Sequence, residues 1–216
     1  MILASGLLLA ATAQAQTSFS IRAGANFQNL NGEEADGTKY DYKMAPKWHV
    51  GVEADVPVGT DFYFRPGLIL NNKGAKMSET ILGEKYEMKF NATYIDVPLS
   101  FVYKPQVGSG RAILGFGPYA GFGIAGKVKA DIGGTEEEQD IEFKNDVKST
   151  DNQDALYIKR LDAGANIFAG YEFTPNIFVQ LNAQLGLVNI EPKYEGEQPE
   201  SKTKHTGFGI SIGYRF

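Results

Sequence analysis

The sequence contains no cysteine and a single tryptophan. Disulfides, thiolate catalysis and thiolate metal ligation are therefore excluded. It has no excess of basic residues: the net charge is -5 and the pI is near 5.2. A chain without a basic surface cannot neutralise phosphates, so no nucleic-acid partner is expected. No zinc-ligand spacing, phosphate-cradling loop or dinucleotide fingerprint occurs. Beyond the first residues there is also no window of about 18 or more apolar residues, which excludes a membrane-spanning helix. If the chain crosses a bilayer, it does so as a closed barrel, the other structure that satisfies every backbone group in hydrocarbon.

Glycine is plentiful, at 25 residues, and aromatics make up 12% of the 216 residues. That length suits one all-β domain, and this mix suits strands that pack closely on one face and carry rings on the other. Met1 to Ala15 is expected to be a secretory signal peptide, with an apolar core from Ile2 to Ala11 and an Ala13-Gln14-Ala15 cleavage site. Its positively charged front is missing, so the natural start is expected upstream of Met1. The remaining domain is expected over residues 16–216.

Thr206 to Phe216 carries the clearest pattern. Phe208, Ile210, Ile212, Tyr214 and Phe216 alternate with Gly207, Gly209, Ser211, Gly213 and Arg215. Two-residue alternation is the period of a strand. An edge strand of a soluble sandwich would show polar side chains to water. Here one face is large and apolar and the other almost bare, as for a strand between lipid and a crowded interior.

Seven earlier segments share that pattern: Phe19 to Phe27, Trp48 to Val56, Phe62 to about Lys73, a fourth around Ile95 to Tyr103, Arg111 to about Gly126, Leu161 to Phe173, and Ile177 to Leu187. Their connections alternate short and long. The short turns lie at Pro57 to Asp61, Pro105 to Gly110 and Thr174 to Asn176; the long polar segments are 29–47, 74–90, 127–157 and 191–205. Eight strands with this asymmetry predict an all-β, eight-stranded antiparallel transmembrane up-and-down β-barrel with short periplasmic turns, four longer extracellular loops and both mature termini in the periplasm. A lipocalin-like soluble barrel also has eight strands, but it buries its apolar side chains around a ligand, and this apolar set is too bulky to fit inside. Phe19, Phe62, Tyr103, Phe173 and Phe216 fall at the turn end and Phe27 and Trp48 at the loop end, where aromatic girdles would lie.

The inward positions carry Arg22, Arg65, Lys73, Lys104 and Arg215 against Glu53, Asp55, Asp96, Asp162 and Glu172. An eight-stranded barrel is just wide enough for side chains to fill, and charges there must pair to offset desolvation. These residues are expected to form a salt-bridge core that plugs the lumen. Pro66, Pro98 and Pro118 fall inside predicted strands, where a missing N–H breaks the ladder; bulges are expected there, with an opening in the wall as the sharper alternative.

The motifs Arg22-Ala23-Gly24-Ala25-Asn26-Phe27, Arg65-Pro66-Gly67-Leu68, Tyr94-Ile95-Asp96-Val97-Pro98-Leu99, Gly117-Pro118-Tyr119, Gly170-Tyr171-Glu172-Phe173, Gly186-Leu187-Val188-Asn189-Ile190 and Gly213-Tyr214-Arg215-Phe216 together resemble the Bacteroidota outer-membrane β-barrel family called the PorT-like group. The chain departs from it at Gly67, where the family has glutamate. The resemblance implies residence in the cell outer membrane of a Gram-negative bacterium, a last strand (Phe208, Ile210, Ile212, Tyr214, Phe216) that serves the barrel-assembly machinery as a signal, and, for some relatives, a part in secretion or maturation of other envelope proteins.

Neither His49 nor His205 has a serine or acid at a diagnostic spacing, although both fall near the external rim within reach of loop acids such as Asp41; catalysis is not expected, and no cofactor is implied. The acidic run Glu136 to Asp140 lacks the spaced ligands of a calcium loop and reads as solvated or disordered. The expected role is structural or interactive, through surface loops or as an accessory subunit of an envelope complex, with outer-membrane lipid around the wall; the alternative is a narrow porin-like channel.

Overall fold

The computed structural model describes residues 17–34, 36–81, 84–132, 134–152 and 154–216. The expected signal peptide lies outside the described residues. Every regular element among them is a strand: β1 (Ser18–Glu33), β2 (Ala45–Gly59), β3 (Phe62–Lys73), β4 (Lys76–Ile81), β5 (Glu84–Tyr103), β6 (Gln106–Val107), β7 (Gly110–Ile132), β8 (Thr135–Phe143), β9 (Asp146–Val147), β10 (Leu156–Ile158), β11 (Leu161–Glu172), β12 (Ile177–Gly186), β13 (Lys193–Tyr194) and β14 (Lys202–Arg215).

Eight of these form a ring. Antiparallel pairings run β1 to β2, β2 to β3, β3 to β5, β5 to β7, β7 to β11, β11 to β12, β12 to β14 and β14 back to β1. The cycle leaves no edge strand in the barrel itself, so backbone polar groups are satisfied between strands. The other six strands belong to the connections, and the strand total therefore exceeds the eight expected.

Side-chain direction follows the two-residue period. Phe116, Ile167, Leu181 and Ile212, on four different strands, are 60–64% exposed on the outside, whereas their neighbours Gly115, Phe168, Gln180 and Ser211 are buried. The rings Phe19, Phe27, Trp48, Phe62, Tyr103, Phe173 and Phe216 all lie on the exposed face. Phe62 stacks on Tyr103 with ring centroids 4.7 Å apart, and Phe27 packs on Phe208 at 5.3 Å. An apolar surface this continuous matches hydrocarbon rather than water.

Two expectations are corrected. The ladder keeps its register through all three prolines: Pro66 pairs with Leu99, Pro98 with Tyr119 and Pro118 with Ala165. Register shifts occur instead at Pro57/Gly59 and Thr93/Tyr94. Proline's fixed φ is compatible with an extended strand, so each one costs a hydrogen bond without forcing an extra residue into the strand. The wall is not open there either, because a Cβ placed on Gly117 would lie 2.1 Å from the Leu99 carbonyl oxygen. Two of the polar segments expected as loops, 74–90 and 127–157, are also largely strand, and the strands that flank the other two run into them. β1 runs six residues past Phe27, β5 begins at Glu84, β7 continues to Ile132 and β14 begins at Lys202. In β1 and β14 the inward face stays buried past the apolar outer band, at Gln28, Leu30, Thr203 and His205, with Leu30, Ala75 and Ile190 forming a small apolar core there. Only the outward face changes from apolar to polar, so the ladder persists after the apolar alternation has ended.

Leu181 stands mid-wall on β12, opposite Ala169 and Ile210. Leu181→Arg is expected to lower stability by about 2–4 kcal/mol in lipid bilayers, the cost of a cation in hydrocarbon. Reversible denaturation in liposomes measures this, and an unchanged midpoint would contradict a lipid-facing wall.

Candidate functional site

The interior of the ring is occupied by polar and charged side chains at three heights. At the turn end, Asp55 of β2 receives Arg65 Nε at 2.5 Å, Arg65 Nη2 at 3.1 Å and Lys104 Nζ at 2.9 Å. Lys104 also contacts Glu172 of β11 at 2.8 Å. Arg215 pairs with Glu172 and lies 3.8 Å from Asp55. Since β2 and β11 stand four places apart in a ring of eight, the Asp55–Lys104–Glu172 chain crosses the full lumen. Above it, Arg22 Nε lies 3.3 Å from Glu53 and Arg22 Nη1 donates to Asn182 and Ser211, while Arg65 Nη1 donates to Gln180 of β12 at 3.4 Å.

At mid-height, Asn26 donates to Asn71 (2.7 Å), Asn71 to Asp96 (2.8 Å) and Gln184 to Asp96 (3.0 Å). This is a second crossing, from β3 to β12. Toward the loop end, Lys73 Nζ bridges Asp96 at 2.9 Å and Asp162 at 2.8 Å beneath the rings of Tyr94 and Tyr119, and the Tyr119 hydroxyl donates to Asp162. Lys73, Lys104 and Asp162 are fully buried. Between these levels lies a cavity of about 50 Å³, lined by Arg22, Asn26, His49, Glu53, Asn71 and Gln184 among others.

The eight ion-pair residues expected from the sequence, Arg22, Glu53, Asp55, Arg65, Asp96, Asp162, Glu172 and Arg215, therefore all lie inside, and Lys73 and Lys104 are the cations that link them across the ring. An apolar cluster that sequence reasoning did not single out sits beside the turn-end pairs: Val102, Ile113, Phe168 and Phe178, with Tyr63 against it. The signal was present in the alternation, since Val102 falls between outward Phe101 and Tyr103. The two phenyl rings fit because glycines face them. A Cβ on Gly115 would lie 2.2 Å from Phe168 Cζ, and one on Gly213 would lie 2.2 Å from Phe178 Cζ.

The histidines sit in the interior, not among the loop acids. His49 Nδ1 contacts Asn26 Oδ1 and Nε2 contacts Ser211 Oγ, each at 2.8 Å. His205 is buried edge-on against Tyr94, with centroids 5.3 Å apart, and its ring nitrogens have no hydrogen-bond partner among the described residues. Their strands extend beyond them on the loop side, β2 from Ala45 and β14 from Lys202, so both rings lie below the rim and their contacts are interior residues and not Asp41. No group of three or more His, Asp or Glu residues is placed to hold a metal ion among the described residues.

Outside the barrel, the acidic run is solvated, as expected, but ordered: Glu136 to Asp140 are all exposed and belong to β8, paired with β7. Lys127 and Lys129 bind Glu138, and their hydrogen bonds hold its carboxyl down at about 2.

Removing one member of a buried charged network leaves the others uncompensated. Lys104→Ala strips Asp55 and Glu172 of a shared cation and is expected to destabilise the barrel by about 3–5 kcal/mol in urea unfolding from detergent or lipid. A loss below about 1 kcal/mol would show that water, not lysine, compensates these carboxylates.

The sequence matches, over residues 12–191, the family described as outer membrane protein beta-barrel domain. No curated protein matches it. Solved structures with similar folds include the attachment invasion locus protein Ail of Yersinia pestis, at 16% identity and TM-score 0.46 over 93% of this chain and 99% of that one. Others are the Neisserial surface protein A, at 12% identity and TM-score 0.41 over 93% and 99%, and an outer membrane channel from Pseudomonas putida F1, at 10% identity and TM-score 0.32 over 93% and 95%. With a family match over most of its length and a ring of eight paired strands inside an apolar wall, the chain belongs to the outer membrane protein β-barrel domain family and resides in the outer membrane.

Proposed function

We propose that this protein is a non-conducting outer-membrane barrel whose work is done by what it displays outside the bilayer, as a structural or interaction protein or an accessory subunit of an envelope secretion or assembly complex. The observation that carries this reading is the pair of side-chain crossings, Asp55–Lys104–Glu172 and Asn71–Asp96–Gln184, which span the lumen at two heights. A channel needs a continuous wet path with binding weak enough to release its solute, and buried ion pairs at both levels oppose one.

Orientation follows from loop asymmetry. Both ends of the described chain lie at the end with the short turns, and the long connections with their added strands lie at the other. Short turns are periplasmic in such barrels, which puts both mature termini in the periplasm and β4 and β8 outside the cell. Residues 1–15 would export the chain, and Phe208, Ile210, Ile212, Tyr214 and Phe216 would present the last strand to the assembly machinery. The strand motifs support a place in the Bacteroidota PorT-like group. No interior group is assigned a catalytic role, because the buried acids are engaged by Arg65, Lys73, Lys104 and Arg215.

Reconstitution into planar bilayers tests the plug. The wild-type protein is expected to give no steady unitary current steps under an applied voltage; reproducible steps of one size would instead support the narrow porin-like channel.

A further inference from the structure

β7 and β8 form a hairpin outside the barrel, with Lys127–Ile132 paired against Thr135–Asp140. One edge of β8 is bonded to β7. The other accepts β10 in parallel, but only at Ile141, Glu142 and Phe143. Beside Gln139 the chain leading into β10 already lies along that edge, the Asp154 carbonyl accepting from the Gln139 side chain. Over Thr135–Glu138 no strand covers it among the described residues, and all four of these residues are exposed. In an antiparallel strand every second residue turns its amide and carbonyl away from its partner, so this length is an open template for another strand. The chain itself uses the template where β10 docks.

Its charge selects the occupant. Thr135–Asp140 carries Glu136, Glu137, Glu138 and Asp140 and no base. Glu138 and Asp140 face Lys127 and Lys129. Glu136 and Glu137 make no ion pair among the described residues, and Glu136 stands directly across the ladder from Asp131. Like charges opposed in this way destabilise a pair of strands, and a cation on an added strand relieves them.

We propose that the free edge of β8 over Thr135–Glu138 binds an extended lysine- or arginine-rich peptide segment as an added strand. Backbone hydrogen bonds supply the attachment, and the segment's cations lie beside Glu136 or, in the register shifted by one residue, beside Glu137 on the opposite face. The inference rests on the reading of the external face as the working surface. The two tests separate, because bilayer conductance does not involve β8 and peptide binding does not involve the lumen.

The full chain in detergent micelles is titrated against fluorescent hexapeptides and followed by anisotropy. A peptide alternating lysine with valine is expected to bind, more weakly as salt rises. One alternating lysine with proline carries equal charge but cannot extend a ladder, and is expected to bind about tenfold or more weakly. E136K/E137K, two exposed changes that leave the barrel intact, is expected to lose the lysine–valine peptide by a similar factor and to gain a glutamate–valine one. Equal binding of the proline peptide would reduce the site to electrostatic adsorption and overturn the proposal. So would no binding of the lysine–valine peptide, or unchanged binding by E136K/E137K. In those cases the acids serve only to keep the edge from pairing.

Discussion

The pairing of Lys104 with Asp55 and Glu172 is the interaction on which the rest of the barrel depends. A closed ring of eight strands has an interior only wide enough for side chains, and its outside must be apolar because it faces lipid. The polar and charged residues of the spanning strands are therefore confined to the lumen, and each charge there has lost its water. Opposite charges from other strands, together with hydrogen bonds such as those from Asn71 and Gln184 to Asp96, compensate that loss. The strands that supply the charges must then stand at fixed heights, so the pairs pin the register of β2, β3, β5, β11 and β14 relative to one another. This assigns the network a role in specificity more than in net stability, since a buried ion pair gains little over an apolar filling.

The turn end adds a second kind of filling. Val102, Ile113, Phe168 and Phe178 pack where the strands leave no polar partner, and Gly115 and Gly213 make the room. Charge pairs and aromatic packing thus share one small cross-section. Between them lies a cavity of about 50 Å³. On the proposed reading of a plugged lumen, the protein's work falls to the strands that rise beyond the membrane.

Much of this was legible in the sequence. Alternation at period two fixes which side chain faces out, as for Phe208 against Gly209 or Phe116 against Gly117, because a strand has only two faces. The balance of inward charges likewise implied pairing. The partners themselves were not legible: Lys73 meets Asp162 across 89 residues of chain, and that meeting depends on strand stagger, which no local pattern encodes. His49 and His205 were misplaced for the same reason, since distance from the rim is set by how far β1, β2 and β14 continue past their apolar residues. The strand character of Glu136 to Asp140 was hidden because water covers both faces of β8, and without a buried side there is no alternation to see.

Closure of the lumen by buried ammonium groups can be read by ¹⁵N NMR of the lysine side chains in detergent micelles. Lys73 and Lys104 are expected to show slowly exchanging ammonium protons with contacts to carboxylate-bearing residues, while exposed lysines such as Lys127 exchange too fast to be seen. Rapid exchange at both interior lysines would mean that water fills the barrel, and would contradict the account.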